Sequence, residues 1–298
     1  MTSPQPIAAD RSTGSRTLES ALREGVHALE LHSDSPHLDA EVLLSSALGI
    51  GRSALIARGS DLLADHDLRV YRGLLAERRR GTPVAYLTGR REFWSLPLKV
   101  TPAVLVPRPE TERLVEAALQ HLPESEERAV LDLGTGSGAV ALAIASERPR
   151  ARVVGTDVSK DALSVARDNA RSLALSNVTF RSGSWFDAVR GEVFDVVVSN
   201  PPYVADRDPA LAALAAEPAL ALVAGPAGLD AFEAIIAEAP RHLTHGGWLL
   251  LEHGSTQEHA VAQLLERAGF AGIECHSDYS ALPRVTRGTF SPPLKERT

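Results

Sequence analysis

Asn200, Pro201, Pro202 and Tyr203 follow directly on the apolar run FDVVVS, and their types and order suit them to hold a planar group bearing an NH2. Two consecutive prolines cannot extend a hydrogen-bond ladder, so a strand must stop there with its backbone fixed in an extended form and the Pro201 carbonyl free. The Asn200 side chain brings a second carbonyl, and Tyr203 an aromatic face with a hydroxyl. Two fixed acceptors beside an aromatic surface fit a carboxamide or an exocyclic base amine. An amide nitrogen is a poor nucleophile because its lone pair is delocalised into the carbonyl. Accepting both of its N–H bonds aims the nitrogen at a sulfonium methyl and stabilises the positive charge that develops on it. Asn200 and Pro201 are therefore the candidate catalytic residues, and all four residues the candidate substrate pocket. The alternative is a proline turn that ends a strand over a buried tyrosine.

A second cluster lies upstream, where the run AVLDL ends in Gly134, Thr135, Gly136, Ser137 and Gly138 and a helical pattern begins at once. Glycines at the carboxyl end of a strand let a ligand approach the backbone closely, and Asp157, at the end of the next strand, can accept the hydroxyl hydrogens of a ribose. Gly134, Gly136 and Ala139 also satisfy the dinucleotide pattern, which alone is weak evidence. Asp132 separates the two cofactors. A carboxylate beside the loop repels a pyrophosphate and attracts a ligand carrying an ammonium and a sulfonium, so S-adenosylmethionine fits better than NAD. Trp185, after the third strand, is a candidate adenine neighbour, with core packing of the Trp185–Phe186 pair as the equal alternative.

These residues need a scaffold that brings strand ends together. From residue 124 onward, strand-like and helical runs alternate with short connections, and the strands are apolar on both faces. That pattern predicts a doubly wound, mostly parallel α/β sheet, with the last two strands, GIECHSDY and RVTRGTF, as an antiparallel hairpin at its edge. Pro109 suits the first turn of a helix that buries Leu114, Val115, Ala118, Leu119 and Leu122. Residues 82–108 hold Pro83, Pro97, Pro102 and Pro107 around short strand-like pieces and read as a hairpin and linker. Residues 15–81 show only amphipathic helical spacing, with Gly51 and Gly81 as candidate left-handed ends and Ser35 or Asp39 as candidate caps. Residues 1–14 lack good helix formers and an apolar signal segment, and read as a disordered tail. Four segments result: this tail, the helical domain 15–81, the linker 82–108 and the α/β domain 109–298.

Composition narrows the function. The 298 residues carry 31 Lys and Arg against 38 Asp and Glu, a net charge of −7, which argues against a protein that holds nucleic acid mainly through phosphates. The cluster Arg78, Arg79, Arg80, Arg90 and Arg91 reads as a solvated helix end and loop. The single cysteine, Cys275, excludes an internal disulfide and fits a reducing cytoplasm. No metal site is expected, since His253 and His259 lie off the spacing of a helical zinc pair. The alanine-rich stretch 211–229 is broken by Glu217, Pro218 and Pro226 and is no membrane span.

The combination of VLDLGTGSG with SNPPY two strands later resembles the HemK/PrmC-type release factor glutamine methyltransferases. The likeness extends to REFWSLPLKVTPAVLVPRPETE, LLLEHG and DYSALPRVTRG and so covers nearly the whole chain. It implies a Rossmann-like class I methyltransferase fold behind a small all-helical domain that binds the protein substrate. It further implies methyl transfer from S-adenosylmethionine to the glutamine of the GGQ motif in class-1 peptide release factors, by a cytoplasmic monomer without direct nucleic-acid or membrane binding. Carried over, the family pattern makes Gly134, Thr135, Gly136, Ser137, Gly138, Asp157, Trp185 and Asn200 cofactor contacts, and Asn200, Pro201, Pro202 and Tyr203 the glutamine pocket. Ser184 departs from the acidic residue expected before Trp185. NPPY is shared with DNA adenine-N6 methyltransferases, which are the alternative reading.

Overall fold

The computed structural model describes residues 16–291, so the expected tail 1–14 lies outside the described residues. The chain divides into two compact units between Thr88 and Gly89.

The first unit is helical: α1 (Leu18–Leu29), α2 (Pro36–Leu48), α3 (Arg52–Ala57), α4 (Asp65–Arg79) and α5 (Val84–Thr88). Helix α5 falls in the stretch that the proline spacing reads as linker. Thr17 caps α1 by accepting the Ser20 N–H, leaving Leu18, Ala21, Gly25 and Leu29 on the buried face. Gly25 is fixed by packing, because a Cβ there would stand 1.8 Å from the Tyr71 hydroxyl on α4. The left-handed residue that ends α2 is Gly49 (φ 64°), not Gly51, which starts α3 with φ −72°. The α2 pattern simply stops two residues earlier than the apolar run DAEVLLSSALGI suggests. Ser35 stands at the N-cap of α2 without a side-chain cap bond, while Asp39 pairs with Arg78 at 2.8 Å. That ion pair removes Arg78 from the basic cluster read as solvated.

The second unit opens with a hairpin, β1 (Arg90–Phe93) against β2 (Leu96–Lys99). Its two-residue turn is unusual: Trp94 and Ser95 both have positive φ, 53° and 58°, where glycine or asparagine is ordinary. The Trp94 backbone N–H donates to Glu112 at 3.0 Å and its indole N–H to Glu147 at 2.8 Å, which holds the turn in place. Pro109 starts a 3-10 turn that runs into α6 (Glu112–Leu119). Leu114, Val115, Ala118 and Leu122 of the expected face are buried and Leu119 partly so.

Next come β3 (Ala129–Leu133), α7 (Ala139–Glu147), β4 (Arg152–Asp157), α8 (Lys160–Ser172), β5 (Val178–Ser182), β6 (Phe194–Ser199) and α9 (Asp230–Glu238). The chain continues through β7 (Leu243–Glu252), α10 (Glu258–Arg267), β8 (Ala271–Ser277) and β9 (Pro283–Phe290). The seven strands lie in the order β5-β4-β3-β6-β7-β9-β8, parallel except for β9, which is antiparallel to both neighbours. Strand alternation sends Val130, Val153, Val196, Val198 and Leu250 to one core with α6 and α7. Leu131, Val154, Val197, Leu249 and Leu251 go to the other with α9 and α10. This is the doubly wound sheet with an edge hairpin that the sequence predicts. Strand order reverses between β3 and β6, where ligands of open α/β sheets bind. Among the described residues no helix is long and apolar enough to cross a membrane.

Candidate active site

The pairing register brings three strand ends to one place. Leu133 is paired with Thr156 on one side and Ser199 on the other, so Gly134, Asp157 and Asn200 leave the sheet side by side. A cavity of about 540 Å³ opens there, within the range of sites that take a cofactor-sized ligand. Gly134, Thr135, Gly136, Ser137, Asp157, Trp185, Asn200 and Pro202 line it. Gly138 does not. A Cβ on Gly138 would meet Leu142, Ala166 and Phe180 at 3.0 to 3.2 Å, so this glycine serves the packing of α7 on the sheet. Pro201 is buried and Tyr203 packs against the α9 core, and neither is among the residues lining the cavity.

The glycine loop is held from within. Gly134, Gly136 and Gly138 all take positive φ, from 56° to 84°, a conformation that L side chains rarely adopt. Asp157 accepts the Gly136 N–H at 2.9 Å on Oδ2 and the Ser159 N–H at 2.8 Å on Oδ1, tying the loop to the start of α8. Asp132 Oδ2 accepts the Thr135 hydroxyl at 2.6 Å and the Ala141 N–H at 3.2 Å, and no described residue donates to its Oδ1. Burial pushes the Asp132 carboxyl up to about 7 against these two donors. The carboxylates of Asp132 and Asp157 thus flank the glycine end of the cavity, and the one basic lining residue, Arg108, is paired with Glu217. Such an end suits a ligand bearing positive charge. Trp185 takes φ 45° and stands behind the loop, its ring 3.6 Å from where a Cβ on Gly134 would be. Phe186 instead stacks on His242 at 4.5 Å in the core, so the aromatic pair is divided between site and packing.

At the other end, the Asn200 amide donates through Nδ2 to Thr111 Oγ1 at 3.2 Å. Thr111 comes from the turn before α6, and Glu252, which ends β7, lies one residue beyond the Ser199–Leu251 pair. Gln257 locks the segment after the prolines by donating to the Tyr203 and Gly228 carbonyls at 3.0 and 3.1 Å. Burial, with the nearby Glu252, pushes the Tyr203 hydroxyl up to about 12 and keeps it neutral. Glu217 closes one wall by accepting the Val106 N–H at 3.0 Å and the Arg108 guanidinium. Thr111, Glu252 and Arg108 escape sequence reasoning. The only signal was a carboxylate at the end of the wholly apolar run LLLE. The histidines form no metal cluster among the described residues: His253 bonds Thr286 and the Gly254 carbonyl instead.

Residues 124–278 match the family described as methyltransferase domain, and residues 20–89 the PrmC N-terminal domain. The chain is 51% identical over 253 residues to the release factor glutamine methyltransferase of Xylella fastidiosa, covering 84% of this chain and 92% of that one. It is 46% identical over 271 residues to the enzyme of the same name from Escherichia coli K12, covering 90% and 97%. Among solved structures, the 16S rRNA N2 G1207 methyltransferase of Thermus thermophilus, in complex with AdoMet and guanosine, shares the fold. Its TM-score is 0.51 at 24% identity, over 67% of this chain and 49% of that one.

Proposed function

The chain belongs to the release factor glutamine methyltransferase family, and on that premise we propose that it methylates the side-chain amide nitrogen, N5, of the GGQ glutamine in class-1 peptide chain release factors. The methyl donor is S-adenosylmethionine, whose sulfonium carries an electrophilic methyl group. The observation that carries this reading is a single cavity with an acidic glycine-loop end and the Asn200 amide at the other. Gly134 to Ser137, Asp132 and Asp157 hold the donor, Asp157 through the ribose hydroxyls and Asp132 through the ammonium. Trp185 borders its adenosine part. Asn200 Oδ1 and the Pro201 carbonyl accept the two N–H bonds of the glutamine amide, pointing its nitrogen lone pair along the cavity. Pro202 and Tyr203 complete the glutamine pocket. As the N–C bond forms, the methyl–sulfur bond would break with its electron pair going to sulfur, S-adenosylhomocysteine would leave, and one amide proton would pass to water.

In this reading the helical unit recognises the release factor away from the methylated loop, and the domain from 109 onward does the chemistry. The protein works as a cytoplasmic monomer. The net charge of −7 and the engagement of Arg78 and Arg80 with Asp39 and Glu77 support a protein substrate over a nucleic acid held through phosphates. Incubation with methyl-labelled S-adenosylmethionine and either a purified release factor or duplex DNA tests the reading. Label in the release factor is expected. Label in DNA alone establishes the adenine-N6 alternative instead.

A further inference from the structure

The Asn200 amide can accept from a substrate only if its oxygen, not its NH2, faces the cavity. Nothing in an isolated asparagine decides between these two orientations. Here the surroundings decide. Thr111 Oγ1 receives one N–H of Asn200 at 3.2 Å. The Glu252 carboxyl lies next to both, where the Thr111 and Asn200 side chains each favour its charged form. Nδ2 of Asn200 is thus turned toward Thr111, which itself lines the cavity. Glu252 is only 1% exposed, Thr111 is 4% exposed, and Glu252 Oε2 is buried without a hydrogen-bond partner among the described residues. An incompletely satisfied carboxyl is expensive to keep in a core and is expected where function requires it.

We propose that Glu252 and Thr111 are positioning residues that fix the Asn200 amide with its carbonyl oxygen toward the substrate nitrogen. The inference rests on the glutamine-methylating reading of the site and names what sets its geometry. In this arrangement the Thr111 hydroxyl turns its hydrogen toward Glu252 and accepts from Asn200 Nδ2 at 3.2 Å. A hydroxyl with its hydrogen committed cannot tolerate the flipped amide, which would set oxygen against oxygen. Glu252 in turn faces Arg284 from β9, Glu110 beside Thr111, and the Tyr203 hydroxyl. Arg284 is itself held by Asp278 at 3.1 Å. Burial raises the Glu252 carboxyl to about 7, above the opposing pull of Thr111, Arg284 and Asn200. The carboxylate, the stronger acceptor, prevails above that pH and the neutral acid below it.

The test uses the full chain with a purified release factor and S-adenosylmethionine. Thr111→Val, which keeps the shape and removes the hydroxyl, is expected to lower kcat by about tenfold or more, with KM for the cofactor unmoved. Thr111→Ser restores the hydroxyl and is expected to restore kcat. Glu252→Gln mimics the neutral acid at all pH values. Its kcat relative to wild type is expected to be low at about pH 9 and to climb toward equality at about pH 6, because the wild-type carboxyl is then protonated as well. Taking this ratio cancels any other group that titrates in both proteins, Asp132 included. In an Asn200→Ala background both substitutions should lose most of their effect, since they act through Asn200. Wild-type kcat in Thr111→Val, equal loss in Thr111→Ser, or a Glu252→Gln ratio flat with pH overturns the inference. These results leave the site reading standing if Asn200→Ala alone is impaired. Wild-type turnover by Asn200→Ala overturns both.

Discussion

Ser199 on β6 is paired with Leu133 on β3, and this parallel register sets Asn200 beside Gly134 at the point where the strand order reverses. Two motifs 66 residues apart in the chain thereby become the two walls of one cavity, as the Ser199 hydroxyl bond to the Leu133 carbonyl at 2.8 Å also records. A slip of one residue would turn Asn200 to the opposite face of the sheet and dissolve the site.

Asp157→Ala is expected to weaken S-adenosylmethionine binding by about 1 to 3 kcal/mol, the loss of hydrogen bonds to a charged acceptor. Part of this loss comes from freeing the Gly136 and Ser159 N–H groups that Asp157 now holds. Isothermal titration calorimetry checks it, and unchanged affinity removes Asp157 from the donor site.

Asp132 is held at about 7 by burial, above its ordinary value of 3.8. A carboxyl whose folded value is raised contributes stability that is full below the unfolded value and is lost as pH rises through the folded one. From about pH 4 to about pH 7, Asp132 therefore makes the ligand-free protein progressively less stable. Asp132→Asn is expected to raise Tm at about pH 8 relative to wild type, and to leave it closer to wild type at about pH 4. A cationic ligand reverses the balance, so S-adenosylmethionine should bind more tightly as pH rises through 7 and release a proton below it. Differential scanning calorimetry of the two proteins and titrations in two buffers measure these effects. A Tm difference independent of pH contradicts the assignment.

Ser95 sits at φ 58° in the hairpin turn, and Ser95→Gly relieves a left-handed conformation that costs an L residue roughly 1 to 2 kcal/mol. Added chain entropy offsets part of this gain, so a net stabilisation of about 0.5 to 1 kcal/mol is expected in urea unfolding. Trp94→Gly is expected to do the reverse, because it also removes the indole bond to Glu147.

Local signals in the sequence were enough to find what each strand end carries. Prolines after FDVVVS stop β6, glycines after AVLDL turn the chain into α7, and two-sided apolar runs imply a covered parallel sheet. Groups acting through long-range contact left no such signal. Thr111 meets Asn200 across 89 positions and Arg108 meets Glu217 across 109, and periodicity carries no information over such separations. The Trp94–Ser95 turn was hidden for a related reason, since its residue types oppose its conformation and tertiary bonds to Glu112 and Glu147 decide it. Gly49 and Gly51 differ only in where α2 ends, which an apolar run extending past the helix obscures.

A glutamine amide held by Asn200 is the proposed methyl acceptor in this cavity. Peptide mapping by mass spectrometry of a release factor incubated with S-adenosylmethionine, and with either wild-type protein or Asn200→Ala, tests it most directly. One methyl on the GGQ glutamine side chain is expected with wild type, and initial rates lower by about 10²-fold or more with a folded Asn200→Ala. Methylation at another residue, or equal rates from the two proteins, would contradict it.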